Sequence, residues 1–300
     1  MTDGWMDVAL TGFVLGYLAP TVAGLGKLYL IGVVFFFVER LRPAVRGQRF
    51  FKADFLTELA YPVFNAAVTA PLFGFVSAYL ALHVFGTYLP ERIFAGTLEA
   101  APFVMQVLFV MFVADVAIWV EHWIAHKLLW NYHALHHMTP EVSWLTHARV
   151  HPVNGLTIAL AGLLAQTVFG LDGAAAAVGS AIVVGISVWE HANLDFAWPR
   201  PLCWLLVSPR FHRWHHSSAP EAIDRNFCLV FPFIDLVMGT YYCPDRMPTA
   251  YGVHRTAADP APIPDGFFAQ LCHPFRLTVA TTRARLFGAG IRIAPGSEGP

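Results

Sequence analysis

The chain has little charge. Charged residues make up 13% of its 300 positions and hydrophobic residues 56%, with mean hydropathy +0.53. Soluble domains carry about 25% charged residues, so this chain has too little polar surface to cover itself in water. It reads as an integral membrane protein. The net charge of −1 argues against a nucleic-acid partner. Cysteine is scarce: Cys203, Cys228, Cys243 and Cys272 are scattered with no C-x-x-C pair, which argues against a disulfide framework and a cysteine zinc site. The first residues, MTDGWMD, hold Asp3 and Asp7 and no Lys or Arg. They lack the basic region of a cleavable signal peptide, so the first apolar segment is expected to remain as an anchor.

Long apolar runs are abundant. Residues 8–38 exceed the roughly 20 needed for one span, with Pro20, Gly24, Gly26 and Lys27 expected to break the middle. They read as one kinked helix or as a helix with a short partner. A basic loop, 39–54, comes next with Arg40, Arg42, Arg46, Arg49 and Lys52, and the positive-inside rule makes it cytoplasmic. Residues 58–86 form a second expected span, with kinks at Pro62 and Pro71. Residues 100–120 form the next, returning the chain to the cytoplasmic side. Two shorter apolar pieces, 156–170 and 174–189, each reach only about 22–24 Å and read as a helical hairpin. Its even number of crossings keeps the segments on either side of it on one face. From about 199 the chain is more polar and richer in proline, and 246–300 reads as a cytoplasmic extension after a membrane domain covering 1–245.

Histidine is concentrated. Seven of the fourteen lie between 115 and 151: His122, His126, His133, His136, His137, His147 and His151. A second cluster, FHRWHH, supplies His212, His215 and His216, and His191 stands beside Glu190 at the end of the hairpin. His122 and His126, four apart, share one helical face, the spacing by which one helix gives two ligands to one metal. His133/His136/His137 and His212/His215/His216 repeat H-x-x-H-H. A lone interfacial histidine is ordinarily a satisfied polar residue, and His83, His254 and His273 are read that way. Packing eight or more imidazoles without a metal would strand buried nitrogens at roughly 1–3 kcal/mol each, so the clusters read as a metal site. Eight to ten ligands are too many for one four-coordinate ion and imply two metals. Imidazole suits Zn, Cu, Fe and Ni, and iron fits redox chemistry on an apolar substrate better than zinc. Asp115, Glu121, Glu190, Asp195 and Asp235 are the carboxylates placed to receive the second N–H of a ligating histidine. Asp115 lies inside an apolar run, where an ionisable group suggests function and a helix-packing contact is the competing explanation.

These residues together resemble the fatty acid hydroxylase/sterol desaturase superfamily of membrane di-iron oxygenases. The resemblance covers roughly residues 110–245. It runs from Asp115 with His122 and His126, through WNYHALHH, RVHP with His151 and EHANLDF with His191, to SPRFHRWHHS and DLVMGTY with Asp235, Gly239 and Thr240. It implies two iron ions held by His122, His126, His133, His136, His137, His151, His191, His212, His215 and His216, with Asp115 and Asp235 as catalytic carboxylates. It implies dioxygen as co-substrate and hydroxylation of an unactivated C–H bond of a lipid, fatty acyl or sterol-like, with desaturation by the same ligands the alternative. His147 has no counterpart. Trp123 stands where Arg is common and Ile234 where Trp is common. Neither H-P-G-G nor a flavin or nicotinamide glycine motif occurs, so electrons are expected from a separate cytochrome b5-, ferredoxin- or reductase-type donor.

The expected architecture is an all-α membrane protein of about four transmembrane helices plus a short helical hairpin, with a cytoplasmic histidine-rich cap holding the dimetal site. Sixteen Arg against three Lys and abundant alanine hint at a bacterial source, hence an inner membrane. Two other classes are compatible with bound metal. An intramembrane zinc hydrolase needs H-E-x-x-H, whereas here Glu121 precedes the pair. A metal transporter places its site near the bilayer midplane, whereas these clusters fall at a span's end.

Overall fold

The computed structural model describes residues 19–80, 83–84, 98, 100–169, 173–253 and 264–287. These residues are helical, with no β-strand among them beyond one bridge pair, Ser217 with Tyr251. Among the described residues three helices are long and apolar enough to cross a bilayer, and a shorter apolar helix accompanies them. The chain is a membrane protein.

Helix α1 covers Ala19–Leu41. It runs unbroken through Gly24, Gly26 and Lys27, so the expected break in its middle is absent; residues 8–18 lie outside the described residues. Helix α2 covers Phe55–Leu80 and contains a π turn, Asn65–Thr69. Pro62 and Pro71 each lack the N–H that an α turn requires. The wider turn lies between them, and the Asn65 N–H reaches the carbonyls of both Tyr61 and Pro62. The expected kinks thus take the form of one π turn in a continuous helix.

Helix α3, Phe103–Leu128, has neither Gly nor Pro in its 26 residues. At 1.5 Å per residue it reaches about 39 Å, against a hydrocarbon core of about 30 Å. Its last two turns therefore outrun the apolar layer, and they carry His122 and His126. This is why the helix continues to Leu128 rather than ending near 120. Leu129 turns the chain into α4, Trp130–His137. After a 3-10 turn at Trp144–Ala148, α5 (Pro152–Phe169) and α6 (Gly173–His191) form the hairpin. Both pack on α3. Against α6 the packing is tight at Gly179, where a Cβ would lie 2.7 Å from Val110 Cγ1. Val107, Val110, Met111, Ala175 and Val183 are buried together around that contact.

The rest of the chain closes over the end of this bundle. Short helices α7 (Leu202–Leu205), α8 (Pro209–His215) and α9 (Phe233–Met238) are followed by α10, Phe267–Phe287. Helix α10 packs on α4 and α2, where Gln270 Oε1 accepts from Arg149 Nη2 at 3.0 Å and from Tyr61 Oη at 3.2 Å. The described part of the polar C-terminal stretch is therefore docked on the core.

Candidate metal centre

Four helices supply the histidines. The last turns of α3 present His122 and His126, with ring centroids 5.3 Å apart. Helix α4 adds His133, His136 and His137, and the end of α6 adds His191. In α8 Ser208 caps the helix, its Oγ accepting from Phe211 N at 3.3 Å, with Pro209 at the first helical position. That start fixes His212 and His215 on the helix and His216 at its end.

Nine of the ten histidines implied by the resemblance come together in two groups. One is His122, His126, His133, His137 and His215; the other is His136, His191, His212 and His216, and within each the ligand atoms lie within 4.8 Å of one another. The groups abut, with the His137 and His216 ring centroids 4.5 Å apart.

Hydrogen bonds on the outer ring nitrogens decide the tautomers. His122 Nδ1–H donates to Phe227 O at 2.9 Å, His133 Nδ1–H to Asn154 Oδ1 at 2.9 Å and His215 Nδ1–H to Arg225 O at 2.8 Å. His126 Nδ1–H donates to Asp224 Oδ1 at 3.1 Å and His191 Nδ1–H to Ser187 O at 2.6 Å. A neutral imidazole whose Nδ1 carries the proton turns a bare lone pair inward at Nε2. His122 Nε2 and His133 Nε2 then face each other at 3.1 Å with no proton between them. In the second group His191 Nε2 lies 3.1 Å from His136 Nε2, 2.9 Å from His212 Nε2 and 3.2 Å from His216 Nε2. Where both rings carry the proton at Nδ1, as in His122 and His133, lone pairs this close repel unless a cation sits between them. The separations match neighbouring corners of a coordination sphere with metal–nitrogen bonds of about 2.1 Å. The donor set therefore fits two metal ions.

The protonation states agree. Burial drives the His133 imidazole down to about 4, the Asn154 hydrogen bond opposing it. Burial drives His215 down to about 3, the Arg225 carbonyl opposing and His133 adding to it. His136, His137, His212 and His216 are also held well below 6.5, by burial first and then by the neighbouring histidines of both groups. All are neutral at pH 7, the form that binds metal.

Three expectations change. His151 lies in neither group: its Nδ1 accepts from Val153 N at 3.1 Å and its Nε2 donates to Leu271 O at 3.0 Å. Both nitrogens are committed, one to the start of α5 and one to α10. Asp115 and Asp235, expected as catalytic, are taken up by backbone. Asp115 accepts from the N–H groups of Leu229, Val230 and Phe231 at 2.7, 3.1 and 2.7 Å. Asp235 accepts from Phe227 N and Cys228 N at 2.9 and 3.0 Å, and from Trp119 Nε1 at 2.9 Å. Neither carboxylate contacts a ring of the two groups; both pin the segment whose Phe227 carbonyl orients His122. His147, left without a counterpart, donates from Nδ1 to Trp144 O at 2.8 Å and joins neither group.

Asn154, Asp224 and Arg213 support the site and were not anticipated. Asn154 bridges His133 to Glu121, its Nδ2 donating to Glu121 Oε1 at 2.9 Å. Arg213, fully buried within H-x-x-H-H, donates to the carbonyls of Val142 and Ala192 and to Tyr251 Oη. The buried H-x-x-H-H arginine was visible as a charge in an otherwise apolar context; Asn154 and Asp224 carried no local signal.

Two openings adjoin the centre. A polar one of about 220 Å³, lined by His126, Trp130, His215, Ser217, Ile223 and Asp224 among others, reaches the five-histidine group. An apolar groove of about 600 Å³ runs between α3 and α5. It extends from Phe169, which packs on Phe109, to Glu121 and Thr157, where Thr157 Oγ1 donates to Glu121 at 2.5 Å.

The fold and the site together define a membrane protein with two adjoining histidine groups that could each hold a metal ion at the end of its helices. Residues 107–240 match the fatty acid hydroxylase family model, which bears out the resemblance of this region to the fatty acid hydroxylase/sterol desaturase superfamily. The chain is similar to ornithine lipid hydroxylase OlsE of Rhizobium tropici, with 28% identity over 176 residues, 58% of this chain and 51% of that protein. It thus spans about half the length of that curated relative. No solved structure matches the chain.

Proposed function

We propose that this protein is a membrane-bound di-iron oxygenase that hydroxylates an unactivated C–H bond of a lipid. The observation that supports the reading is the pair of adjacent histidine groups with their Nε2 atoms converging inward. Two irons there would supply the chemistry by which R–H, O2, two electrons and two protons give R–OH and water. The five- and four-histidine groups exceed the three protein ligands typical of a catalytic zinc, which favours the oxygenase over a hydrolase.

The chain's own residues hold and shape that centre. Outward hydrogen bonds to Phe227, Asn154, Arg225, Asp224 and Ser187 keep five rings in the metal-binding tautomer. Burial keeps bulk water from the group formed by His136, His191, His212 and His216. The groove between α3 and α5 suits the apolar chain of a lipid, and the polar opening at His126 and Trp130 suits its head. A polar lipid of the kind named for the relative, an ornithine lipid, has both parts. The basic loop 39–54 supports a cytoplasmic placing of the centre in a bacterial inner membrane, with electrons delivered there by a separate carrier. Desaturation would use the same ligands, and the relative's name favours hydroxylation.

The test is to express the full chain in a bacterial host under 18O2 and to compare its lipids with those of a host carrying a His136→Ala variant. A lipid gaining one 18O atom only with the unaltered chain is the expected result. A lipid losing two hydrogens without gaining oxygen would shift the assignment to desaturation. No altered lipid, in hosts supplied with ornithine lipid, fatty acid and sterol in turn, would overturn the proposal.

A further inference from the structure

Glu190 is the one carboxylate beside the centre whose oxygens have no hydrogen-bond partner among the described residues. It is fully buried at the end of α6. Its Oε2 lies 3.4 Å from His212 Nδ1 and its Oε1 lies 3.8 Å from His191 Nδ1. The His191 proton is already given to Ser187 O at 2.6 Å, whereas His212 Nδ1 has no other partner. No Lys or Arg among the described residues forms an ion pair with Glu190. A buried carboxylate without a cation is strongly disfavoured. A neutral carboxyl has only His212 Nδ1 to accept its O–H, and that would move the ring's proton to Nε2, among the converging Nε2 atoms. The Nε2 atoms of the same two rings, on the far side of each imidazole, converge at 2.9 Å. An ion there places positive charge one ring away from the carboxylate.

We infer that Glu190 is the charge-balancing carboxylate of the four-histidine group, accepting the Nδ1 proton of His212 and so holding that ring as a stronger metal donor. The five-histidine group has a different outer layer: two backbone carbonyls, an Asn amide and the half-exposed Asp224. The two ions are therefore inequivalent, and Glu190 acts on one of them. It is a positioning residue, and the inference rests on the dimetal reading above.

The test uses the full chain in detergent, loaded anaerobically with 57Fe(II). Mössbauer spectra and the rate of iron loss to a chelator are recorded for the unaltered chain, Glu190→Gln and Glu190→Asp. The expected result is two irons in the unaltered chain. In Glu190→Gln one of the two signals changes, and that iron is released about 10–100-fold faster. Glu190→Asp, which keeps the charge, restores part of the retention. Asp224→Asn, acting on His126, perturbs the other signal. Two unchanged signals and unchanged release in Glu190→Gln would overturn the inference while leaving two irons in place. Fewer than two irons in the unaltered chain would instead sink the dimetal reading. Should Glu190→Gln not fold, Glu190→Asp decides: one altered signal supports the inference and two unaltered signals overturn it.

Discussion

Asp115 and Asp235 divide five successive backbone N–H groups between them, Asp235 taking those of 227 and 228 and Asp115 those of 229, 230 and 231. The segment they pin begins next to the carbonyls of Arg225 and Phe227, which fix the rings of His215 and His122. The two carboxylates therefore reach the histidine groups only through the backbone.

Replacing either carboxylate by its amide removes charge-assisted acceptors worth roughly 1.5–3 kcal/mol each. Asp115→Asn and Asp235→Asn should lower thermal stability and weaken metal binding at the five-histidine group, while the four-histidine group keeps its ion. Thermal melts with metal analysis check this. Full stability with lost turnover would instead mark these residues as catalytic.

His151 tests the ligand set from the other side. His151→Ala should leave the metal content unchanged, because neither ring nitrogen points to the centre. It should loosen α10, read as faster tryptic cleavage after Arg276. Loss of one ion in this variant would restore His151 to the ligands.

The buried imidazoles set a pH dependence in the metal-free protein. His133 and His215 titrate near 4 and 3 in the fold, against about 6.5 when unfolded. Between those values the unfolded chain binds more protons, so stability falls as pH drops from 6.5 toward 4 and is retained above 6.5. Melting temperatures of metal-free protein from pH 7.5 to 4 should decline over that window and stay flat above it. A flat profile throughout would contradict the burial of neutral rings.

Gly179 sits where α6 packs on α3. A Cβ there would press on Val110 at 2.7 Å, and overpacking of this kind costs about 1–3 kcal/mol. Gly179→Ala should lower the melting temperature without changing which metals bind. An unchanged melt would mean that the helices separate freely.

The histidine groups were legible in the sequence because the helix period converts spacing into a shared face. His122 with His126, and the two H-x-x-H-H runs, needed only 3.6 residues per turn to be grouped. Which histidines share which ion was not legible, since the assignment of His136 and His137 to different groups depends on how α4 packs against α6 and α8. His151 fitted the spacing equally well, yet its Nε2 is taken by Leu271 O of α10, more than a hundred residues away. Asp115 and Asp235 were visible as buried charges, but their neighbours are backbone amides, which sequence spacing cannot display. The long helices followed from apolar runs alone. The π turn of α2 did not, because two prolines predict a defect without its form.

The most direct test is the metal content of the full chain purified in detergent after growth in iron-replete medium, beside a His136→Ala/His215→Ala variant that strikes both groups. The account predicts two irons per chain, lost in the variant. A single zinc per chain, retained in the variant, would contradict it.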